Sequence, residues 1–235
     1  MRMGKIAAIG GGRYDNGEII SIIKDIRDLS DKENPKMVFI PTAGHDNIDG
    51  SNYMTDAFKA NGCTVDYLFL TDKALTKEQV REKILSADII YVGGGDTGFM
   101  MRTWKKTGAD KCLIEAYNKG IVVSGYSAGA LCWFDTGYDD CGRDHAYIFV
   151  KCLGILPFCV CPHAESENWQ SFWEAVKSRD ENGLALDDGA CLIFEDGKVR
   201  YVCGNEDGDV NLFRKDNGHI PENITANPEI LETLM

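Results

Sequence analysis

The sequence predicts an α/β fold, a doubly wound and mostly parallel sheet with a C-terminal antiparallel hairpin extension. Short apolar runs rich in β-branched residues alternate with amphipathic segments, which is the order that builds parallel sheets with helices on both faces. From residue 190 the helical patterns stop, and apolar runs follow one another across polar turns. The 235 residues are enough for one large core. We therefore expect a single domain over residues 1–235, with residues 190–235 as an antiparallel appendage of it.

Six short apolar runs are the predicted parallel strands. Their length and their content of valine, isoleucine and aromatic residues are typical of buried strands. They cover residues 5–10, 36–41, 65–70, 88–93, 121–124 and 158–162.

Apolar residues spaced three and four positions apart predict the helices between these strands. In the first helix, residues 17–29, this spacing puts Ile19, Ile22 and Ile26 on one face. The same pattern covers residues 51–60, 77–87, 97–118 and 166–178.

Two strand pairs follow residue 190. Asp196-Gly197 separates the apolar runs 190–194 and 199–203, and an Asp-Gly dipeptide in that setting is a strong hairpin signal. A polar turn separates the runs 210–214 and 220–224. These pairs are the predicted antiparallel extension.

Charge and composition limit the partners. The chain has 25 basic and 37 acidic side chains, a formal net charge of −12. No lysine or arginine stripe offsets it, so we expect neither nucleic acid nor an anionic membrane as a partner. The nine cysteines are odd in number and scattered along the chain, which favours reduced thiols over a framework of disulfide bonds. With no signal-peptide or membrane-spanning pattern, we expect a cytoplasmic protein with a small-molecule partner and leave a homodimer open.

Gly125-Tyr126-Ser127-Ala128-Gly129 is the sharpest local motif. A predicted strand precedes it and an apolar segment follows, which is the strand–turn–helix setting of a G-x-S-x-G nucleophile elbow. Small residues flank the serine because the turn forces its backbone into a strained conformation. The motif predicts that Ser127 is a nucleophile and that the Ala128 N–H can bind an oxyanion. A serine that merely caps a helix is the alternative.

A serine nucleophile needs a general base, and the chain has four histidines. His163 directly follows the predicted strand 158–162, and the carboxyl ends of such strands converge on the crevice where open α/β sheets place their sites. His45, His145 and His219 lie in loops or turns and are weaker candidates. We predict His163 as the base, with a structural histidine as the alternative.

Asp187 and Asp188 precede the run 190–194, and either carboxylate could orient the imidazole of the base. Each could instead be a solvated turn acid. The local sequence leaves the choice between them open.

Two glycine runs follow predicted strands. Gly93-Gly94-Gly95 leads to Asp96, a predicted N-cap, and could supply a second oxyanion donor. This run and Gly10-Gly11-Gly12 could also cradle a phosphate, but neither matches a nucleotide-binding motif. Cys161 and His163 lack a second pair at metal-ligand spacing. We expect neither a cofactor nor a metal ion.

Together these motifs resemble peptidase family S51, which includes dipeptidase E and cyanophycinase and whose fold is similar to the class I glutamine amidotransferase domain. The likeness spans residues 36–189, and residues 129–134 are similar to a less characterised bacterial branch. The matching segments are Phe39-Ile40-Pro41-Thr42-Ala43, Val92-Gly93-Gly94-Gly95-Asp96-Thr97, Gly125-Tyr126-Ser127-Ala128-Gly129-Ala130, Pro162-His163 and Leu186-Asp187-Asp188-Gly189.

The resemblance implies a role for each site residue. Ser127 corresponds to the nucleophile and His163 to the base. Asp188 stands where dipeptidase E has a glutamate as the third member of its triad. Gly95 and Ala128 correspond to the amides of the oxyanion hole.

These roles predict a serine peptidase that hydrolyses short peptides through a Ser-His-Asp triad and an acyl-enzyme. Dipeptidase E binds aspartate with arginines, one of them shortly after the nucleophile, whereas the comparable position here is near Tyr138. Residues 128–162 hold only Arg143 and Lys151 as cations, which weakens the case for an aspartyl substrate. The spacing of residues along the sequence does not show where the candidate specificity residues lie relative to the scissile bond. These candidates are Arg13, Tyr126, Trp133, Tyr138, Arg143 and Trp169.

Two other functions remain as alternatives. An α/β-hydrolase-type esterase has the order Ser, acid, His, which would make His219 the base after Asp187, Asp188 or Asp196. A non-catalytic amidotransferase-like domain would bind a metabolite or a protein without turnover. An amidotransferase itself would carry a cysteine where Ser127 stands.

Overall fold

The computed structural model describes residues 4–15, 17, 19–203 and 208–234. Within these ranges 13 strands form two sheets. The predicted α/β class with a largely parallel central sheet is confirmed, and a second sheet is added to it. In chain order the strands are β1 (Ile6–Ile9), β2 (Lys36–Ile40), β3 (Thr64–Tyr67), β4 (Ile89–Val92), β5 (Val122–Tyr126), β6 (Phe134–Asp139), β7 (Ile148–Lys151), β8 (Leu156–Cys161), β9 (Asn182–Leu186), β10 (Ala190–Glu195), β11 (Lys198–Cys203), β12 (Val210–Phe213) and β13 (Pro221–Asn223).

The first sheet has seven strands in the order β11-β10-β1-β5-β4-β2-β3. The strands β1 to β5 run parallel. Four of them, β1, β2, β4 and β5, are buried along most of their length because both faces of this sheet are covered. The hairpin β10–β11 joins antiparallel to β1. The first half of the predicted C-terminal extension therefore continues the central sheet.

The second sheet has six strands in the order β13-β12-β9-β8-β6-β7. Its centre, β6-β8-β9, is parallel, and the other pairs are antiparallel. Local sequence patterns do not predict β6, β7 or β9. In β6, polar residues and Gly137 interrupt the apolar pattern; a Cβ at Gly137 would lie 2.8 Å from Leu131, so tight packing requires the glycine there.

The main helices lie where the periodicity predicts them. Gly108 divides the predicted helix 97–118 in two, because it adopts the left-handed conformation with φ 80° and ends one helix while starting the next. The predicted helix 166–178 is a set of short helical turns. The α-helices are α1 (Ile20–Asp28), α2 (Asn52–Ala60), α3 (Lys77–Leu85), α4 (Thr97–Thr107), α5 (Ala109–Asn118), α6 (Ala128–Leu131) and α7 (Phe172–Ala175).

One hydrophobic cluster includes residues of both sheets. It joins Ile6 and Val123 of the first sheet to Val160 and Leu184 of the second, all at most 1% exposed. A shared core of this kind favours one folding unit. The single domain over residues 1–235 stays a prediction.

No helix in the described ranges is long and apolar enough to cross a membrane. The eight cysteines whose side chains are described form no disulfide bond. The cytoplasmic location stays a prediction.

Candidate active site

Ser127 lies at the turn between β5 and α6. Its backbone has φ 53° and ψ −124°, a conformation that is strained for any residue with a side chain. The flanking glycines permit the turn: a Cβ on Gly125 would lie 2.5 Å from the Val92 oxygen, and one on Gly129 would overlap the same atom. The turn therefore has the geometry of a nucleophile elbow and presents Ser127 at the carboxyl end of the first sheet.

His163 follows β8 of the second sheet and brings its imidazole to this serine. Its Nε2 lies 3.0 Å from Ser127 Oγ, and its side chain is 26% exposed. The Trp169 ring packs beside the imidazole, with 5.4 Å between the ring centroids. The histidine is therefore accessible from the solvent but held against an aromatic wall.

Asp188 lies between β9 and β10 and contacts the other imidazole nitrogen. Its Oδ1 is 2.5 Å from His163 Nδ1, and its backbone N–H donates to Glu165 Oε2 at 2.9 Å. An ionised carboxylate at this distance keeps the proton on Nδ1, which leaves Nε2 to accept the hydrogen bond of the Ser127 hydroxyl.

Asp187 has different contacts. Its Oδ2 accepts the Asp209 N–H at 3.1 Å. Burial raises the pKa of its carboxyl to about 6, and the neighbouring Glu165 carboxylate also raises it. The sequence left open which of the two aspartates meets His163. In the structure Asp188 contacts His163, whereas Asp187 accepts a hydrogen bond from the segment before β12.

Gly11 lies directly against the histidine–aspartate pair. It forms a parallel bridge with Asp188, and its oxygen accepts the Gly189 N–H at 3.2 Å. A Cβ at this position would overlap both Asp188 Oδ1 and His163 Nδ1. Gly11, the middle residue of the glycine run that the sequence suggested as a phosphate cradle, thus packs against this pair.

Gly95 and Ala128, the residues predicted for the oxyanion hole, both lie close to the serine. Gly95 lines the same cleft as Ser127 and has φ 134°, and a Cβ there would overlap the Ala43 oxygen. Ala128 is the first residue of α6, where a backbone N–H has no intrahelical acceptor. The oxyanion-hole role of both amides stays a prediction.

The cleft around Ser127 encloses about 440 Å³. Besides Gly95 and the Ser127, His163 and Asp188 side chains, it is lined by Asp139, Asp140, Ser166 and Trp169. Neither Asp139 nor Asp140 is predicted from the sequence as a site residue, because both come at the end of the unpredicted strand β6. No group of three or more His, Cys, Asp or Glu side chains in the described ranges is arranged to hold a metal ion.

Burial raises the pKa of Asp139 to about 6. The Thr97 N–H donates to its Oδ2 at 3.3 Å, which favours the ionised form, but the nearby Asp140 carboxylate opposes ionisation. The folded protein therefore binds a proton here at a pH at which an unfolded aspartate is ionised, and ionising Asp139 destabilises the fold.

We expect Asp139→Asn to raise the free energy of unfolding at pH 8 by about 1–3 kcal/mol, and by much less at pH 4. Well below the ordinary carboxyl pKa of about 4, Asp139 is neutral in both states. Between that pH and about 6 an unfolded Asp139 is ionised while the folded wild type still holds the proton, so the wild type loses stability as the pH rises through this range, and the loss is complete above about 6. Urea unfolding at both pH values measures the change. Asp56→Asn, which removes a 68% exposed carboxylate, is the control. An equal gain at both pH values would contradict the assigned cause.

The other histidines lie apart from this cleft. His45 stacks on Phe99 with 4.0 Å between ring centroids, and His145 belongs to the turn Arg143–His145. His219 is 5% exposed, and its Nε2 donates to the Glu181 oxygen at 3.2 Å. None of them lines the cleft.

The candidate specificity residues are distributed over the molecule. Trp169 lines the Ser127 cleft, and Tyr126 lines a neighbouring cavity of about 310 Å³. Trp133 and Tyr138 are buried in the core, and Arg13 forms an exposed ion pair. Arg143 is exposed in the turn Arg143–His145, so of this group Trp169 alone is among the residues that line the Ser127 cleft.

Comparison with known proteins identifies the family. A sequence model of peptidase family S51 matches residues 6–202. The uncharacterised peptidase YgaJ of Bacillus subtilis (strain 168) is 32% identical over 210 residues, which cover 88% of this chain and 90% of YgaJ. The uncharacterised peptidase Lmo0363 of Listeria monocytogenes is 31% identical over 122 residues, covering 48% of this chain and 58% of that protein.

Two solved structures share the fold. A peptidase from an acI-B1 Actinobacterium superposes with a TM-score of 0.70 at 19% identity, covering 94% of each chain. A putative peptidase E protein from Listeria monocytogenes EGD-e gives a TM-score of 0.65 at 18% identity, covering 86% of this chain and 98% of that one. At these identities the likeness shows the architecture.

Proposed function

The chain belongs to peptidase family S51, and from that premise we propose that it is a serine peptidase that hydrolyses short peptides through an acyl-enzyme. Ser127 is the nucleophile, His163 the general base and Asp188 the acid that orients it. The observation that carries the proposal is the continuous chain of contacts from Ser127 Oγ to His163 Nε2, at 3.0 Å, and from His163 Nδ1 to Asp188 Oδ1, at 2.5 Å.

In the acylation step, Ser127 Oγ attacks the scissile carbonyl while its proton passes to His163 Nε2. Asp188 stabilises the imidazolium that forms. The carbonyl oxygen becomes an oxyanion, which the Gly95 and Ala128 N–H groups bind in the tetrahedral intermediate. His163 then gives the proton to the leaving amine, and water releases the acyl group by the reverse path.

The dimensions of the cleft support a small substrate. A volume of about 440 Å³ lies within the range of small-ligand pockets. The cleft is bounded by Trp169 and by the Gly95 turn, so it suits a short peptide better than a folded chain.

We expect a fluorophosphonate to label the wild-type protein at one serine and to leave Ser127→Ala unlabelled. The reagent forms a covalent bond with a serine oxygen that a neighbouring base activates. Intact-protein mass spectrometry measures the adduct. Labelling of Ser127→Ala at the wild-type rate would contradict the proposal. A dipeptide-library assay on the same two proteins then shows which residue the enzyme prefers at the first position of the dipeptide.

Replacing the histidines separates this proposal from the esterase alternative. We expect His163→Gln to lose the labelling and His219→Gln to keep it, because His219 donates to a backbone oxygen and does not line the cleft. Loss of labelling in a folded His219→Gln protein would favour the esterase. A wild type that neither reacts nor hydrolyses dipeptides would favour the non-catalytic domain.

A further inference from the structure

A second cavity, of about 310 Å³, begins directly beside the nucleophile, and the proposed triad does not use it. Gly94 and Tyr126 line this cavity. The residues that follow them in the chain, Gly95 and Ser127, line the cleft of the nucleophile. A Cβ on Gly94 would lie only 3.3 Å from the Ser127 Cβ. A side chain of a substrate bound at Ser127 is therefore within reach of this cavity.

The walls of this cavity are apolar and packed in place. Phe39 and Met54 line it and are almost completely buried, at 4% and 2% exposed. The Tyr14 ring packs edge-on against Tyr126, with 5.1 Å between the ring centroids, and its hydroxyl shares a hydrogen bond with that of the buried Tyr91. A ligand would therefore meet an aromatic and aliphatic surface that is already formed.

The polar residues at the rim use their hydrogen bonds within their own loop. Asn47 Oδ1 accepts the Asp49 N–H at 2.7 Å, and the Ser51 hydroxyl donates to the Ile48 oxygen at 2.7 Å. Ile48 itself is 38% exposed, so the loop also presents an uncovered apolar side chain. An apolar group can enter without leaving these polar atoms unpaired, and the removal of apolar surface from water favours its entry.

Charge separates an apolar occupant from an acidic one. Asp49 is the only charged side chain among the described residues that line the cavity, and it is exposed to water. The part of the chain that the structure describes places no lysine or arginine in this lining. An aspartyl or glutamyl side chain would therefore lose its hydration without gaining a counter-ion.

We propose that this cavity binds a large apolar side chain of the substrate. The substrate class is then a short peptide with a residue such as leucine or phenylalanine next to the scissile bond. A volume of about 310 Å³ lies at the lower end of the range for small-ligand pockets, which suits one side chain. This inference rests on the proposed peptidase function, because the cavity meets the substrate only through its position beside Ser127.

Either residue of a dipeptide could supply this side chain: the first, which forms the acyl-enzyme, or the second, which leaves as the amine. Three probes distinguish the two sources, which are leucyl-glycine, glycyl-leucine and glycyl-glycine. Isothermal titration calorimetry on the Ser127→Ala protein measures their affinities without turnover.

We expect leucyl-glycine or glycyl-leucine to bind about tenfold or more tightly than glycyl-glycine, because burying a leucine side chain is favourable to at least that extent. Tighter binding of leucyl-glycine assigns the cavity to the first residue of the dipeptide. Tighter binding of glycyl-leucine assigns it to the second.

Adding Ser51→Phe to the Ser127→Ala protein should remove this preference, because the new ring would occupy space that the leucine side chain needs. Asn47→Phe, at a second lining position, tests the same point independently. Asn52→Phe is the matched control, since it adds the same ring at an exposed neighbouring position that does not line the cavity. We expect the control to keep the preference for leucine. Circular dichroism verifies that each variant is folded.

Equal affinity for the three peptides, including no measurable binding of any, would overturn the inference. A leucine preference that persists in folded Ser51→Phe and Asn47→Phe proteins would do the same. Fluorophosphonate labelling of the wild type keeps the two proposals apart. A reactive Ser127 without a leucine preference overturns the apolar site alone, whereas leucine-selective binding without labelling overturns the serine peptidase alone.

Discussion

Asparagine in place of Asp188 should slow the reaction of Ser127 by about 10³–10⁴-fold. The Asp188 carboxylate lies 2.5 Å from His163 Nδ1 and holds the proton on that nitrogen. An asparagine amide fills the same space but can donate to Nδ1, which favours the tautomer that carries its proton on Nε2. That tautomer cannot accept the Ser127 proton. The rate of fluorophosphonate labelling, or kcat for a dipeptide, measures the loss.

Asp187→Asn is the matched control, because the same substitution is made one residue earlier. Asp187 Oδ2 accepts the Asp209 N–H and burial raises the pKa of this carboxyl, so it is bound to the loop before β12. We expect this variant to keep most of the wild-type rate. A larger loss in Asp187→Asn than in Asp188→Asn would assign the orienting role to Asp187.

Alanine in place of Gly11 should lower the same rate by about 10²-fold or more, although Gly11 touches no substrate. Its Cβ would overlap Asp188 Oδ1 and His163 Nδ1, so the pair must move, and a displacement of about 1 Å in a catalytic group can cost on the order of 10²-fold. The Nδ1 proton between His163 and Asp188 gives a second readout, because its downfield proton NMR signal should shift or disappear.

Gly44→Ala controls for the loss of a glycine close to the site. A Cβ on Gly44 would meet its nearest neighbour, the Gly94 oxygen, at 3.7 Å, an ordinary van der Waals distance. We expect this variant to react at nearly the wild-type rate. A Gly11→Ala protein that is folded and equally fast would disprove the close packing described for Gly11.

Local sequence patterns were enough to predict most of the central sheet. The runs that became β1, β2, β4 and β5 are apolar because these strands are covered on both faces. The elbow at Ser127 was also readable, since the flanking glycines follow from short-range contacts that the turn imposes. Such features depend on residues close in sequence.

The second sheet could not be predicted in the same way. Strand β6 has only two large apolar side chains, Phe134 and Tyr138, among polar residues and Gly137, and β7 lies at the edge of the sheet with exposed ends. Strand β6 pairs with β8 and β7 pairs with β6, so both strands depend on partners that lie outside their own segment of the sequence. As a result, the Asp139–Asp140 pair at the end of β6 was not recognised as part of the site.

The sequence by itself determined the α/β class, the strained serine turn and, through its ordered motifs, the family. Only the tertiary structure decided which aspartate meets His163, what the glycine run at residues 10–12 packs against, and which charges surround Ser127. The physical reason is distance along the chain. Periodicity and turn chemistry act over a few residues, whereas Gly11, Ser127, His163 and Asp188 meet only because two sheets bring the ends of separate strands together.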